Sequence, residues 1–456
     1  MKSAIILAAG KGTRMNSDIP KCMHKVCDKS MIDHLIDTAK EANATRVIAV
    51  LGHESDVIKD HIDGRCDVAI QMPQLGTGHA LMQVKQLYDV SGVCTVLNGD
   101  APCIKKETIE KIYTSLEDAD MVIVSGVMES PRAYGRILRD VNGNVEKIVE
   151  FKDCSESEKK IKEVNLGLYG FKNELLFKHL KDLKNNNQQN EYYITDLVEI
   201  FNKNNLKIKV VEVSDLDEVL GINDQVELAY ANKVMKRMIN EKLMSDGVVI
   251  IDPDNTYISK DSTVLKGAII HPGSTILKNS VIGENSIIYP NCYLENADIG
   301  KNCIIKSSYI CSSKVSDNCQ IGPYAHLREH TLVEKDVRIG NFVEFKKTKF
   351  GKNSKCAHLT YLGDSVVGED VNIGCGVVTA NYDGKVKHQT IIGDKSFIGC
   401  NTNLIAPVKV GNNSIIAAGS TITKNVGDND FAIARSHQEI KAGYAEYIKN
   451  KRGKNQ

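Results

Sequence analysis

The sequence predicts an α/β N-terminal domain with a mostly parallel, Rossmann-like sheet, followed by a left-handed parallel β-helix of hexapeptide repeats. Two observations predict this fold class. Short apolar runs alternate with amphipathic stretches in the first half, and an aliphatic residue returns every six positions in the second half. At 456 residues the chain is long enough for two or three domains with sizeable cores.

The first half shows the alternation typical of a parallel sheet with helical crossovers. The predicted strands are "SAIILAA", "RVIAVLG", "VCTVLNGD" and "DMVIVSGV", and the predicted helices are "MIDHLIDTAKEAN" and "KETIEKIYTSLEDA". Ligands of such sheets bind at the carboxyl ends of the strands. The residues that follow each strand are therefore the first candidates for a binding site.

The first strand is followed by a glycine-rich, basic segment, "LAAGKGTRM". Gly10 and Gly12 would let the backbone approach a ligand, and exposed N–H groups there favour anions. Lys11 and Arg14 add positive charge, and Lys21 follows shortly. The segment matches neither a Walker P-loop nor G-x-G-x-x-G, so a tight turn with solvated charges is the alternative. The concentration of basic residues favours a phosphate site.

Two other strand ends carry polar residues. Asn98, Gly99 and Asp100 follow one strand, where the carboxylate would suit Mg²⁺; an Asx turn explains the same residues about as well. Gln71 and Gly76-Thr77 lie in "QMPQLGTGHA", a polar loop suited to reading a base edge, or an ordinary loop.

The second half repeats with a period of six, which fits neither a helix nor an alternating strand. A solenoid with three hexapeptides per coil fits, whereas the strands of a β-sandwich do not keep one period. About nine coils at roughly 4.8 Å each would make a prism about 45 Å long. The aliphatic residues would point inward, with Gly and Asn at turns that need φ > 0. The repeat residues are Ile258, Val264, Ile270, Ile276, Ile282, Ile288, Leu294, Ile299, Ile305, Ile310, Val315, Ile321, Leu327, Val333, Ile339, Phe345, Phe350, Cys356, Leu362, Val367, Ile373, Thr379, Ile392, Ile398, Leu404, Val410, Ile416 and Ile422.

The two halves are joined by one predicted amphipathic helix that ends at Gly247. We therefore predict a first domain over residues 1–223, a connecting helix over 224–247 and a second domain over 248–456. The residues that set the helical spacing of its apolar face are Val226, Ala229, Tyr230, Val234 and Met238.

The composition excludes some partners. Lys+Arg and Asp+Glu both number 58, so no overall basic field attracts nucleic acid or an anionic membrane, and no apolar run reaches the length of a membrane span.

The thirteen cysteines form no C-x-x-C pair. With no export signal recognised, they predict reduced, mostly buried thiols in a cytosolic protein and argue against structural zinc.

Several polar residues in the second half have no role in a solenoid. The period breaks between Thr379 and Ile392, a step of 13 residues, so the loop "ANYDGKVKHQ" must leave the prism. A lone His358 would be a surface histidine. Its neighbours suit a phosphorylated sugar and an amine acceptor, and a neutral imidazole can take a proton from an attacking amine. The polar residues are Arg328, Lys346, His358, Tyr361, Asn372, Asn381, Tyr382 and Lys387.

Several segments also resemble a known family. "LAAGKGTRM", "PK", "QLGTGHA" and "NGD" resemble the sugar-1-phosphate nucleotidylyltransferases, and "YGRI", "IVEFKD", "EVNLGLY", "NEYYITD" and "LGIND" narrow the match. With the hexapeptide half, the chain resembles the bacterial bifunctional N-acetylglucosamine-1-phosphate uridylyltransferase/glucosamine-1-phosphate acetyltransferase family over nearly its whole length. That resemblance implies acetyl transfer from acetyl-CoA to glucosamine 1-phosphate. Uridylyl transfer from UTP would follow, giving UDP-N-acetylglucosamine and pyrophosphate for cell-wall precursor synthesis.

The resemblance implies site residues in the first half. They are Leu7, Ala8, Ala9, Gly10, Gln71, Gly76 and Thr77 for uridine, Lys21 for phosphate, Gly135, Glu150 and Asn165 for the acetamido sugar, and Asp100 and Asn223 for Mg²⁺. One departure is Leu166, where the family usually has Thr; we expect a small effect on the sugar pocket.

In the second half the resemblance makes His358 the general base. The implied contacts are Arg328, Lys346, Tyr361, Asn372 and Lys387 for glucosamine 1-phosphate, and Cys375, Asn381, Tyr382, Cys400, Ala418 and Arg435 for acetyl-CoA. Cys375 stands where Ala is usual, Cys400 where Ser is usual, and Glu329-His330 replace Pro-Gly.

A prism with one exposed flat face predicts a homotrimer with sites between neighbours, so the partners would be small-molecule substrates and copies of the chain. The basic tail would cover a neighbour's site or be disordered. One alternative is a nucleotidylyltransferase with a regulatory, oligomerising β-helix. Another is a sugar-nucleotide-binding scaffold that binds UTP without releasing pyrophosphate.

Overall fold

The computed structural model describes residues 1–10, 12–52, 55–131 and 133–453. It divides into two compact units, Met1–Ile239 and Asn240–Gln456. Among the residues described, no helix is both long enough and apolar enough to cross a bilayer.

The N-terminal unit is built on a nine-stranded sheet. The strand Lys2–Ala8 is central and pairs in parallel with Arg46–Leu51 and Val93–Asn98, and the antiparallel member Glu163–Lys172 pairs with Val93–Asn98. The predicted, mostly parallel α/β sheet is therefore confirmed. From edge to edge the main path is Ile208–Glu212, Met121–Val127, Glu163–Lys172, Val93–Asn98, Lys2–Ala8, Arg46–Leu51 and Asp67–Ile70, and the hairpin Arg136–Arg139 and Val145–Val149 joins it at Glu163–Lys172.

Helices cover this sheet because each has one apolar stripe. In Met31–Glu41 the residues Ile32, Leu35 and Ile36 are buried, and the Ser30 hydroxyl caps the helix by accepting the Asp33 N–H at 3.2 Å. The α-helices of the unit described are Met31–Glu41, Ser55–His61, Thr77–Leu81, Lys106–Ser115, Asn173–His179, Leu197–Lys203 and the start of Gln225–Ser245, and a small hairpin joins Lys25–Val26 and Lys29–Ser30.

The second unit is a left-handed parallel β-helix, as predicted. Its short strands each pair in parallel with the equivalent strand of the next coil. The strands are Val249–Ile250, Tyr257–Ile258, Thr263–Val264, Ile269–Ile270, Thr275–Ile276, Val281–Ile282, Ile287–Ile288, Tyr293–Ile299, Ile304–Ile305, Tyr309–Val315, Gln320–Ile321, His326–Arg328, Leu332–Val333, Arg338–Lys346, Lys349–Phe350, Lys355–Gly363, Ser365–Val367, Asn372–Ile373, Val378–Ala380, Thr390–Ile392, Phe397–Ile398, Asn403–Ile405, Val408–Val410, Ile415–Ile416, Thr421–Ile422 and Phe431–Ala432. The exposed helix Tyr444–Gly453 follows.

Every predicted repeat residue is buried, with at most 7% of any of them exposed. The predicted turn chemistry is also observed, since Asn at many turns and Gly at others, such as Gly267 and Gly419, have φ > 0. Other glycines have a different task. In "IGENS", Asn285 takes the left-handed conformation at φ 58°. Gly283 does not; a Cβ there would collide with the carbonyl group of Gly300 on the next coil. Asn therefore serves the turn geometry, and this glycine serves the close stacking of coils.

The interruption after Thr379 is an extruded loop, as predicted. Val378–Ala380 and Thr390–Ile392 keep their places in the coil, and Tyr382 and Lys387 form an antiparallel bridge inside the exposed loop.

The predicted apolar face of the connecting helix is wrong at its start. In Gln225–Ser245, Val226 and Tyr230 are 79% and 46% exposed, whereas Ala231 and Val234 are buried. The tyrosine lies outside because its hydroxyl donates to the Asp217 carboxylate at 2.8 Å. The packing stripe therefore follows Ala231, Val234 and Met235, one step round the helix from the predicted one.

Candidate active sites

A cavity of about 390 Å³ lies at the carboxyl ends of the parallel strands Lys2–Ala8, Asp67–Ile70 and Val93–Asn98. The predicted residues that line it are Leu7, Ala8, Ala9, Gly10, Lys21, Gln71, Gly76, Thr77, Asn98, Gly99 and Asp100. Lining residues that the sequence did not single out are Cys22, Gln74, Ala80 and Glu191. Lys11, predicted to add charge here, lies outside the described residues.

The glycines around this cavity serve different purposes. A Cβ on Gly10 would meet no atom within 4 Å, so this glycine faces open space that a ligand can enter. Gly12 has φ 62°, and a Cβ there would lie 2.6 Å from the Lys21 Cβ. On Gly99 a Cβ would lie 2.6 Å from the Leu7 carbonyl oxygen. Gly12 and Gly99 are thus explained by packing within the protein, and Gly10 by the cavity.

A charged cluster lies at one end of the cavity. The Lys21 ammonium donates to the Asp100 carboxylate at 2.5 Å and to the Asn223 side-chain oxygen at 3.0 Å. Arg14 donates to the same Asn223 oxygen at 2.7 Å. The structure therefore brings together four of the predicted residues from distant parts of the chain. The two oxygen donors predicted for Mg²⁺ converge on one cation, which is the lysine ammonium.

The three residues predicted for the acetamido sugar are neighbours. The Asn165 N–H donates to the Gly135 carbonyl at 2.9 Å, and a Cβ on Gly135 would lie 3.4 Å from the Glu150 carboxylate. Burial raises the pKa of Glu150. Leu166 points the other way and is buried in the core behind the sheet.

The segment "NEYYITD" connects these groups, although the sequence assigned no roles within it. The Tyr192 carbonyl accepts the Gly78 N–H at 2.7 Å, the Thr77 hydroxyl accepts the Ile194 N–H at 3.1 Å, and the Thr195 hydroxyl donates to Glu150 at 3.2 Å. Burial, followed by the nearby Glu199 charge, raises the pKa of Asp196 to about 6. The segment therefore holds the nucleotide loop and the sugar residues in one arrangement.

In the β-helix, one turn position on successive coils forms a row of side chains, here called the corner row. Its members, which the strand register places on successive coils, are His358, Cys375, Cys400 and Ala418. The following residue is in the left-handed region on each coil, and backbone hydrogen bonds of 2.7 to 2.9 Å join the turns, as from the Asn401 N–H to the Cys375 carbonyl. The Arg435 side chain reaches the end of the row, with its Cδ 3.8 Å from a Cβ placed on Gly419. Three of the six residues predicted for acetyl-CoA therefore lie in one row, and a fourth lies at its end.

His358 is oriented by a residue that the sequence did not reveal. Its Nδ1 lies 3.1 Å from the Asn341 side-chain oxygen, on the preceding coil. Because an amide oxygen only accepts, this contact places the hydrogen on Nδ1 and leaves the Nε2 lone pair available. That is the tautomer a general base requires.

Three of the predicted acceptor residues are cations that lie next to one another. Arg328 and Lys346 are paired in register on neighbouring coils, and the Lys346 ammonium lowers the pKa of Lys387. The Arg328 Nε is buried and, in the part of the chain described, has no hydrogen-bond partner. The three cations suit a phosphate group.

Polar groups border these cations on both sides of the corner. A Cβ on Gly363 would lie 2.5 Å from both the Tyr361 hydroxyl and the Asn381 amide, so these groups meet over that glycine. Asn372 lies on the strand before the corner, and Tyr382 lies exposed on the loop.

Comparison with known proteins assigns a class to each half. Residues 4–146 match the MobA-like NTP transferase domain, residues 253–350 the GMPPB C-terminal domain, and residues 389–424 six bacterial transferase hexapeptide repeats. The bifunctional protein GlmU of Clostridium acetobutylicum is 45% identical over 449 residues, 98% of each chain. The chain belongs to the bifunctional GlmU family.

Other GlmU proteins agree. Those of Halalkalibacterium halodurans and Caldanaerobacter subterraneus are 45% and 46% identical, each over 97% of this chain and over 98% and 97% of their own. GlmU membership confirms the predicted family and the assignment as a bifunctional transferase, and it disfavours both the monofunctional and the scaffold alternatives.

Proposed function

We propose that the chain acetylates glucosamine 1-phosphate at the corner row and transfers the uridylyl group of UTP to N-acetylglucosamine 1-phosphate in the N-terminal cavity. One observation carries this proposal: the residues required by the two chemistries are gathered in two separate clusters. One is a glycine-lined cavity with a Lys21–Asp100–Asn223 cluster. The other lies on adjacent coils of the β-helix, where the strand that holds His358 pairs with the strand that ends at Lys346, next to Arg328 and Lys387.

Asp100 and Asn223 are the proposed ligands of Mg²⁺. Their side-chain oxygens fit a hard cation, since they already converge on the Lys21 ammonium. Within the described ranges, no group of three or more His, Cys, Asp and Glu forms a richer metal site. When bound, Mg²⁺ would neutralise charge on the triphosphate.

Uridylyl transfer requires positioning and charge neutralisation, without a covalent protein intermediate. Lys21 and Arg14 would neutralise phosphate oxygens at the cavity end, while Asn165 and Glu150 orient the sugar. The sugar phosphate oxygen then attacks the α-phosphorus, and pyrophosphate leaves on the opposite side.

Acetyl transfer requires a base and an oriented amine. Arg328, Lys346 and Lys387 would hold the phosphate of the acceptor, with its amine towards His358. The free Nε2 takes a proton from the amine as the amine attacks the thioester carbonyl carbon. The C–S bond breaks, and coenzyme A leaves along the corner row.

For the assembly we propose a homotrimer. Phe397, Ile415 and Phe431 are paired in register as an exposed apolar row on one face, and Asn372 lies in the same row. A second copy covering this row would border the acceptor residues, and a closed cyclic assembly of prisms satisfies all such faces. Sedimentation of a Phe397→Asp variant tests this assembly.

A cytoplasmic location is proposed because the thirteen free cysteines would stay reduced there.

A product assay with both substrate pairs, with and without Mg²⁺, tests the assignments. His358→Ala should abolish acetyl transfer and keep uridylyl transfer, and Asp100→Ala should do the reverse. His271→Ala, which removes a histidine stacked on Tyr289 elsewhere in the β-helix, is the matched control and should leave both reactions intact. Acetyl transfer by the His358 variant would remove His358 from the base role.

A further inference from the structure

The corner row contains two accessible thiols. Nine of the thirteen cysteines are buried, Cys66, Cys311 and Cys375 are partly exposed, and Cys400 is exposed. Both residues belong to the row of collinear side chains, so their thiols are open to solutes that reach this corner.

The register of the coils places these two thiols opposite each other. Asn372 pairs with Phe397 before the turn, and Val378 pairs with Asn403 after it, so Cys375 and Cys400 occupy equivalent positions. Neighbouring parallel backbones lie about 4.8 Å apart. That separation falls within the range of about 4.4–6.8 Å between the Cα atoms of disulfide-bonded cysteines.

A base lies on the other side of Cys375. Cys356 pairs with Ile373, and Tyr361 pairs with Val378, which places His358 opposite Cys375 on the preceding coil. An imidazole next to a thiol can accept its proton, and the thiolate is the reactive form of cysteine. The corner therefore presents, in order, a base, a thiol and a second thiol.

We propose that Cys375 and Cys400 are a site of reversible covalent oxidation by hydrogen peroxide, which closes the acetyl-donor part of the corner row. The effect on acetyl transfer rests on the proposed function; the crosslink itself does not. The Cys375 thiol gives its proton to His358, and the thiolate attacks one oxygen of hydrogen peroxide. The O–O bond breaks, leaving a sulfenic acid and a hydroxide, which takes the proton back from the imidazole as water. The Cys400 thiol then attacks the sulfenic sulfur, the S–S bond forms and a second water leaves. Two thiols lose two electrons and two protons, and one peroxide is reduced to two waters.

The chain contains a matched control for this pair. Cys303 and Cys319 also lie opposite each other on neighbouring coils, since Ile304 pairs with Gln320, but both are fully buried. An oxidant in solution reaches the first pair and not the second. Accessibility, with the spacing held constant, is thus what distinguishes them.

The test is to treat the full chain with hydrogen peroxide and map disulfides by mass spectrometry of non-reduced peptides. We expect a Cys375–Cys400 link, a fall of at least tenfold in acetyl transfer that dithiothreitol reverses, and unchanged uridylyl transfer. Cys400→Ser should form no link and should instead trap a sulfenic acid at Cys375 that dimedone labels. Cys303→Ser should respond like the unmodified chain. Each variant is compared with its own untreated sample.

Absence of the link, or a link with full acetyl transfer, overturns the proposal. Linking of Cys303 to Cys319 at the same rate overturns the accessibility argument. If the untreated chain does not transfer acetyl groups at all, the proposed function fails, and the peptide map still decides whether the thiol pair is oxidised.

Discussion

The Lys346 ammonium lies 3.3 Å from the carboxylate of Glu329. Glu329 and His330 stand in the left-handed region, at φ 47° and 62°, where the family usually has Pro-Gly. The departure therefore affects more than the turn: it puts a negative charge beside a lysine proposed to hold the phosphate of the acceptor.

Removing that charge should tighten acceptor binding. The carboxylate and the sugar phosphate compete for one ammonium, so we expect Glu329→Gln to lower the KM for glucosamine 1-phosphate about two- to fivefold, as for a partly exposed ion pair. Thiol release from acetyl-CoA measures this. Glu334→Gln, which breaks the surface pair with Lys349, is the control and should leave the KM unchanged. An unaltered KM in Glu329→Gln would show that the pair does not compete.

Replacing Lys21 should change metal binding and turnover in opposite directions. Its ammonium occupies the oxygens of Asp100 and Asn223, so Lys21→Met should bind Mn²⁺ more tightly without nucleotide, as measured by electron paramagnetic resonance. Uridylyl turnover should fall because a phosphate contact is lost. Lys172→Met, which removes the partner of Asp120, controls for the loss of one charge in the same unit. Weaker Mn²⁺ binding in Lys21→Met would contradict the competition.

Asn341 should act as a positioning residue. Asn341→Ala frees the His358 ring, so we expect kcat of acetyl transfer to fall about tenfold at an unchanged KM. Asn341→Asp restores the acceptor and adds a charge that favours the imidazolium. The acid limb of its pH–rate profile should therefore move to higher pH. A profile that stays in place would indicate that Asn341 supports only the fold.

The Asp196 carboxyl should make stability depend on pH. Its folded pKa of about 6 lies above the unfolded value, so the folded chain binds the extra proton and loses stability as pH rises from about 4 to about 6. Asp196→Asn removes this loss. Its advantage in calorimetry should grow across that range to about 2 kcal/mol, allowing for partial exposure, and stay constant above pH 7. An advantage independent of pH would rule out the raised pKa.

The sequence was most informative where one rule repeats. The position of each aliphatic residue in the β-helix, such as Leu404 or Ile416, follows from the period alone because every coil meets the same neighbours. The sequence does not predict Asn341 and Gln74, because each acts on a residue in a distant segment. Asn341 orients the imidazole of His358 on the next coil, and Gln74 donates a hydrogen bond to the Ala9 carbonyl from a separate loop. The helical periodicity places Tyr230 on the buried face of the connecting helix. It cannot show that the Tyr230 hydroxyl donates to Asp217, the contact that keeps this side chain at the surface.

The corner row also has a length. Each coil advances the chain by about 4.8 Å, so the three steps from His358 to Ala418 span about 14 Å. A ligand that lies along the row is selected by the length of its flexible arm as well as by its chemistry. Deleting residues 401–418, the length of one coil, would remove Ala418 and shorten the row by one step while leaving the stacking pattern unchanged. The number of coils in the β-helix therefore sets the length of the ligand that can contact every side chain of this one corner.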